Sequence, residues 1–145
     1  MTQINGRGHI NNYKKTGMNF EDFYWHDAVI KNITIDRSNP GAKDEVVLEI
    51  VWPNNGERVY FIFESVYWAK MDLNFGIVAD ENIFQGRHLL NNDLDLVRFY
   101  SLWNGLMDNI KLNVYEIELS STGGRIKIIA KGFRVNRVSA NVAIS

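Results

Sequence analysis

The chain of 145 residues contains no cysteine, only two prolines and no marked excess of charge of either sign. Without cysteine there is no disulfide framework, no thiolate metal site and no cysteine nucleophile. Sixteen basic and seventeen acidic side chains leave a formal net charge of −1. We therefore expect no nucleic-acid partner, because no overall field attracts a polyanion.

Long apolar runs are also missing. The longest, such as residues 60–63, are far shorter than the roughly 20 residues that a helix needs to span a bilayer. The first residues lack the apolar core of a signal peptide. We expect a cytoplasmic protein that makes no membrane contact.

Apolar residues are nevertheless abundant, at 46% of the chain, which excludes a charge-rich disordered protein. We expect one globular domain at residues 21–145, preceded by a poorly ordered tail at residues 1–20. The tail carries Arg7, Lys14 and Lys15 without an acid. A basic arm for nucleic acid is the alternative interpretation of these three charges.

Two β-branched and aromatic segments, residues 46–52 and 58–64, flank Asn55-Gly56. This pair favours a two-residue type I′ turn, because both turn positions need a positive φ. The turn predicts a register in which six core-facing side chains oppose one another: Trp52 with Val59, Ile50 with Phe61, and Leu48 with Phe63.

A second hairpin is predicted from residues 110–119 and 125–135, with the turn at Thr122-Gly123 or at Gly123-Gly124. The first turn sets Glu118 against Lys127 on the solvent face, and the second sets Glu116 against Lys131. The first also opposes three apolar pairs: Leu119 with Ile126, Ile117 with Ile128, and Tyr115 with Ala130. The hairpin carries a row of bases that could bind an anion, although Glu116 and Glu118 favour ion pairs: Arg125, Lys127, Lys131, Arg134 and Arg137.

The other segments complete the predicted fold. Strands are predicted at residues 28–36 and 66–75, a short strand or irregular segment at 77–92, and a candidate edge strand at 136–145. A helix is predicted at residues 93–104, where Asn92 or Asp93 caps its start and Gly105 ends it. The expected class is a β-rich α+β domain, with about six mostly antiparallel strands in hairpins and one amphipathic helix packed on the sheet.

Catalytic and metal-binding patterns are weak. The three histidines, at positions 9, 26 and 88, lack the spacing of a helical zinc site. Asp27 beside His26 suggests an orienting carboxylate, but neighbours on a strand point to opposite faces. Residues 91–95 contain enough Asn and Asp to suggest a calcium loop, without its central glycine. Helix capping is the favoured interpretation, so we predict no metal and no cofactor.

Four tryptophans, six tyrosines and eight phenylalanines are more aromatic residues than one core readily hides. Tyr24, Trp25 and Trp68 have no obvious core position, so they are candidate surface anchors for a partner, together with His26 and Asp27. The alternatives are a second layer of core and a cleft for a small apolar ligand.

Several of these segments resemble small bacterial immunity-type proteins that are encoded beside polymorphic toxins. The similarity covers residues 24–135. It rests on three short motifs, Trp25-His26-Asp27, Val46-x-Leu48-x-Ile50 ending in Trp52, and Asn74-Phe75-Gly76. The spaced isoleucines of residues 30–35 and a late helix before a final hairpin are similar too. The resemblance implies an inhibitor that binds a cognate toxin protein and has no active site. Such proteins are often acidic, and the near-neutral charge departs from that pattern.

We therefore expect a non-enzymatic binding protein without catalytic residues. A small-ligand-binding β-rich domain with an apolar cavity is the alternative. A third hypothesis is a hydrolase that uses His26 and Asp27, which requires both side chains to lie in one cleft.

Overall fold

Six strands, each with one apolar face, close on themselves into a barrel. The computed structural model describes residues 18–138. The strands run in the order β1-β2-β3-β6-β5-β4 around the barrel, with all neighbours antiparallel. Their bounds are β1 Val29–Ile35, β2 Val46–Val51, β3 Arg58–Asp72, β4 Glu81–Leu89, β5 Asn113–Leu119 and β6 Arg125–Arg137, with helix α1 at Leu94–Leu102. The predicted β-rich class with one helix is confirmed, and closure into a barrel adds to it.

Aromatic rings fill the interior of the barrel. A turn of 3-10 helix at Phe20–Asp22 precedes β1 and directs Phe20 inward, where its ring centre lies 5.5 Å from that of Phe61 and 5.7 Å from that of Phe133. Phe20 is only 1% exposed, so the core begins within the segment that the sequence assigns to a tail. The rest of that tail, residues 1–17, lies outside the described residues, as do residues 139–145 of the predicted edge strand.

The predicted registers of both hairpins are wrong, by two residues in the first and by two or four in the second according to the turn chosen, although the predicted core faces are correct. In the first hairpin Ile50 opposes Val59, since Trp52 and Glu57 close a four-residue loop in which only Gly56 has a positive φ. The second hairpin shows the same change: Ile117 opposes Ile126, Tyr115 opposes Ile128, Glu116 opposes Lys127 and Glu118 opposes Arg125. A shift of two residues keeps every side chain on its face, because strand side chains alternate with a period of two.

The predicted strand at residues 66–75 is not separate, because it continues β3. Ser65 adopts a left-handed φ of 52°, and the register against β6 shifts between Val66 and Trp68. Such a bulge bends a strand without ending it. As a result Val66 packs on the interior core, whereas Trp68 packs against the cluster beneath α1.

Helix α1 covers part of the outer surface of the barrel. The Asp93 carboxylate accepts hydrogen bonds from the backbone N–H groups of Asp95 and Leu96, which confirms one of the two predicted caps. Leu96 and Phe99 are the buried residues of the helix. They form a second apolar cluster with Leu112, Val114 and Ile129, outside the barrel interior.

The barrel closes at its weakest seam between β1 and β4. These strands pair only through Val29 with Asn82 and Ile30 with Glu81. Beyond Ile30 the two strands part, and β1 continues to Ile35 with only β2 beside it among the described strands. No helix within residues 18–138 has the length and apolar character needed to cross a membrane.

Candidate functional site

Trp25, predicted as a surface anchor, is a core residue that is only 3% exposed. Its indole Nε1 donates a 2.6 Å hydrogen bond to the carbonyl oxygen of Phe20. The ring lies against Gly86 of β4, at a position where a Cβ atom would come within 2.7 Å of the indole. Trp25 therefore anchors the segment before β1 to the barrel, and a partner cannot reach it without local unfolding.

His26 and Asp27 lie in a turn, not on opposite faces of a strand as the sequence suggested. Asp27 has a φ of 71°, and its carboxylate is 3.7 Å from the imidazole of His26. The imidazole Nδ1 is 3.1 Å from the carbonyl oxygen of Phe84. The two side chains are 69% and 67% exposed. The pair thus lies in solvent and lacks the exclusion of water that an active site provides.

The remaining two predicted anchors differ from each other. Tyr24 is exposed beside this turn, so it is available to a partner. Trp68 is half-buried and packs against the cluster beneath α1. The five predicted site residues therefore separate into an exposed group, Tyr24 with His26 and Asp27, and two tryptophans that serve packing.

In the Asn- and Asp-rich segment at residues 91–95, two carboxylates bind the side chain of Lys127. Lys127 Nζ donates to Asp93 Oδ1 at 2.8 Å and to Asp95 Oδ2 at 2.6 Å. The hydrogen bond from Lys127 lowers the pKa of Asp95. Burial opposes the charge on Lys127, but the bonds to the two carboxylates outweigh burial and raise its pKa. These carboxylates therefore cap α1 and attach it to β6.

The predicted row of bases on β6 is largely paired with acids. Arg125 contacts Glu116 and Glu118, the two acids predicted to neutralise the row, but Glu116 is buried and does not lie on a solvent face. The other partners come from elsewhere in the chain: Arg134 contacts Glu45 and Glu64, and Arg137 contacts Glu57. With Lys127, four of the five bases therefore pair with acids, which weakens the electrostatic basis for an anion site.

Glu116 is a buried carboxylate, only 4% exposed, that Arg87 and Arg125 flank. Arg87 donates at 2.5 Å and Arg125 at 3.0 Å, one to each carboxylate oxygen. Both oxygens are thus satisfied, as a buried charge requires. This triad joins β4, β5 and β6 on the outer surface of the barrel.

Sequence reasoning missed an apolar groove where β1 separates from β4. We define this β1 groove by its apolar lining, the half-buried Ile33, Met71 and Leu73 and the exposed Ile35, Phe75 and Ile77. Its volume is about 580 Å³. Phe75 is 86% exposed, although the sequence assigned it to a strand. Only the position of Phe75-Gly76-Ile77 between two strands hints at such a surface in the sequence.

The far wall of the β1 groove is held in place by the β5–β6 turn. Thr122 Oγ1 donates to Glu81 at 2.7 Å, and Asn74 donates through its side-chain amide to the Thr122 carbonyl at 2.8 Å. Ser121 Oγ donates to the carbonyl of Asp80. Three hydrogen bonds therefore hold the segment that carries Phe75 and Ile77 in place beside β1.

A second apolar surface lies around α1. Leu102 and Leu106 are each about three-quarters exposed. The members of this helix surface are Leu90, Leu94, Leu102, Trp103 and Leu106. All five residues lie in or next to α1 in the sequence, whereas the β1 groove combines separate segments of the chain.

Comparison of the chain with protein families, with curated proteins and with solved structures finds no match. Within residues 18–138, no group of three or more His, Asp or Glu side chains is arranged to hold a metal ion.

Proposed function

We propose that the protein is a non-enzymatic binding protein of the immunity type, which neutralises a cognate bacterial toxin in the cytoplasm by surface contact. The β1 groove carries the proposal. Folded monomers seldom leave large contiguous apolar surface in water, and where they do it is usually an interaction site. Phe75 and Ile77 stand on a segment that hydrogen bonds hold in place, which lowers the ordering cost of a contact made through them.

The similarity of residues 24–135 to immunity-type proteins supports the same proposal. One of the motifs behind this similarity, Asn74-Phe75-Gly76, includes Phe75, the exposed aromatic residue of the groove. The balanced charge favours a contact made through apolar side chains over imitation of a nucleic acid.

Co-expression with the product of the neighbouring open reading frame tests the proposal. We expect the wild-type chain to restore growth of cells that produce the toxin and to copurify with it. Phe75→Asp should weaken the complex at least ~10-fold, because it sets a charge in an apolar contact. Leu102→Asp, an equivalent change on the helix surface, should leave affinity and protection unchanged.

Absence of both binding and protection by the wild-type chain would overturn the proposal. Loss of binding in Leu102→Asp with normal binding in Phe75→Asp would move the interface to the helix surface.

The size and lining of the groove favour a second candidate function, the binding of a small apolar ligand. Rings fill the barrel interior, so such a ligand would bind in the β1 groove. A thermal-shift screen with fatty acids, sugars and nucleotides tests it. Stabilisation by a fatty acid that grows with concentration, and that Phe75→Asp abolishes, would support this function.

A further inference from the structure

We propose that the β1 groove binds an extended peptide segment of the partner protein, which adds to the open edge of β1 as a further strand. The inference rests on the proposed function, since it assumes that the groove is the contact surface. It adds the conformation and the residue pattern of what is bound.

The open edge is the backbone of residues 31–35. On one side this stretch pairs with β2 from Asn32 to Ile35. On the other side the pairing with β4 stops at Ile30, and no backbone hydrogen bond from a described residue outside β2 reaches it. A strand edge with unpaired N–H and C=O groups is a template for an extended chain. The added strand would gain main-chain hydrogen bonds independent of its sequence.

The apolar lining gives the segment a residue pattern. Ile33 and Ile35 of β1 line the groove together with Phe75 and Ile77 of the segment after β3. Side chains of an added strand point alternately into the groove and into water. The bound segment should therefore have apolar residues at every second position and polar residues between them.

The length of the edge limits the length of the segment. Five residues in extended conformation span roughly 17 Å at about 3.4 Å per residue. Where β1 leaves β4, Lys31 Nζ lies 3.7 Å from the Asp80 carboxylate, an ion pair that marks one end of the open edge. A segment of about five residues thus fills the edge.

The opposite wall favours a single segment over the edge of a second barrel. Residues 73–77 and Ala79 line the same groove as β1, and Lys31 contacts Asp80 at the end of this segment, so an added strand has protein on both sides. A free segment of chain can enter such a space, whereas the edge strand of a folded barrel carries its own neighbours. The hydrogen bonds of Asn74 and Thr122 hold this wall before binding, which reduces the ordering cost.

A random octapeptide library displayed on phage tests the inference against the full-length chain. We expect enriched peptides with apolar residues at alternating positions. Enrichment should fall at least 10-fold on Phe75→Asp and stay unchanged on Val78→Asp. Val78 is fully exposed on the same segment but does not line the groove, so it is the matched control.

Backbone addition separates this mode from simple apolar contact. A synthetic copy of the most enriched peptide should slow amide hydrogen exchange in residues 31–35, as measured by NMR. Methylation of its alternate backbone nitrogens on the side facing β1 should abolish binding, because these donors are then lost. No enrichment, enriched sequences without alternation, or equal binding of the methylated peptide would overturn the inference.

The two proposals fail in different ways. If the toxin binds through Phe75 but no extended peptide does, the inference is wrong and the proposed function stands. If the peptide binds and protects residues 31–35 but the toxin neither binds nor is neutralised, the groove is a strand-binding site and the immunity function is wrong. Dimers that form through the same edge, detected by sedimentation, would overturn the inference in favour of a second copy.

Discussion

The contact between Trp25 and Gly86 shows how one residue decides the role of another. The indole occupies space that any side chain at position 86 would need, and its Nε1 is satisfied by the Phe20 carbonyl. The sequence marks Trp25 as an aromatic residue near a strand, without a clue that a glycine about sixty positions away receives it. A surface anchor and a core residue are therefore indistinguishable at this position before the chain folds.

Gly86→Ala should destabilise the protein by about 1–3 kcal/mol, because the added methyl group overpacks the buried indole. The free energy of unfolding in urea measures the effect. In a Trp25→Phe background the smaller ring leaves space, so the same substitution should cost less, with a coupling of at least ~0.5 kcal/mol. Equal costs in both backgrounds would show that the ring and the glycine do not constrain each other.

The two exposed surfaces, the turn at residues 24–27 and the β1 groove, differ in how far the sequence predicts them. The exposure of Tyr24 and the proximity of His26 to Asp27 follow from a short polar turn, where Asp27 adopts a left-handed φ. The β1 groove combines residues from β1, from the end of β3 and from the segment after it. No local pattern unites residues some forty positions apart, so the sequence could not reveal this surface.

At the scale of elements, the period of two in the strands and the spacing of apolar residues in α1 were readable from the sequence. The registers were not, because the Asn-Gly and Gly-Gly signals admit loops of different length. In both hairpins the longer loop leaves the same side chains inside. Burial cannot distinguish registers that differ by two residues, so the loop and cross-strand contacts decide.

The attachment of α1 to β6 through Lys127 gives a prediction at this scale. Lys127→Gln should lower the free energy of unfolding by about 1–3 kcal/mol near pH 7, because two carboxylates lose a charged donor. Lys131→Gln, on the same strand with an exposed side chain, should change it by less than about 0.5 kcal/mol. Urea unfolding followed by far-UV circular dichroism measures both.

The pH dependence of this difference follows from the two pKa shifts. The lowered pKa of Asp95 contributes stability at pH values above about 4, which is lost as the pH falls through the folded-state pKa. The raised pKa of Lys127 contributes stability below about pH 10, which is lost as the pH rises through its folded-state pKa. The difference in the free energy of unfolding between wild type and Lys127→Gln should therefore be constant from pH 5 to 9 and become smaller in acid. A gap that persists at pH 2 would contradict the ion-pair origin.

At the scale of the whole molecule, closure of the sheet is unevenly secured. β3 and β6 pair along their length, whereas β1 and β4 join only around Val29 and Ile30. The segment from Phe20 to Trp25 fills one part of the interior and compensates for this short seam. A barrel of this kind should open first along β1.

Amide hydrogen exchange of the free protein tests the uneven closure. Amides of residues 31–35 should exchange through openings of lower free energy than those of the β3–β6 ladder, because few contacts must break. Bound peptide should protect the same amides, as the further inference requires. Equal protection of both regions in the free protein would contradict a weak seam.

Local patterns in the chain specify which side chains are buried in the paired strands, where the helix begins, and a mostly antiparallel sheet. These are consequences of local periodicity and of caps, which act over a few residues. Three features arise only when the chain packs in three dimensions: the sheet closes, Trp25 is internal, and residues 31–35 of β1 have one edge unpaired by any described strand, beside an apolar groove. Each of these depends on how distant segments share one volume, and that competition for space has no signature within any short stretch of chain.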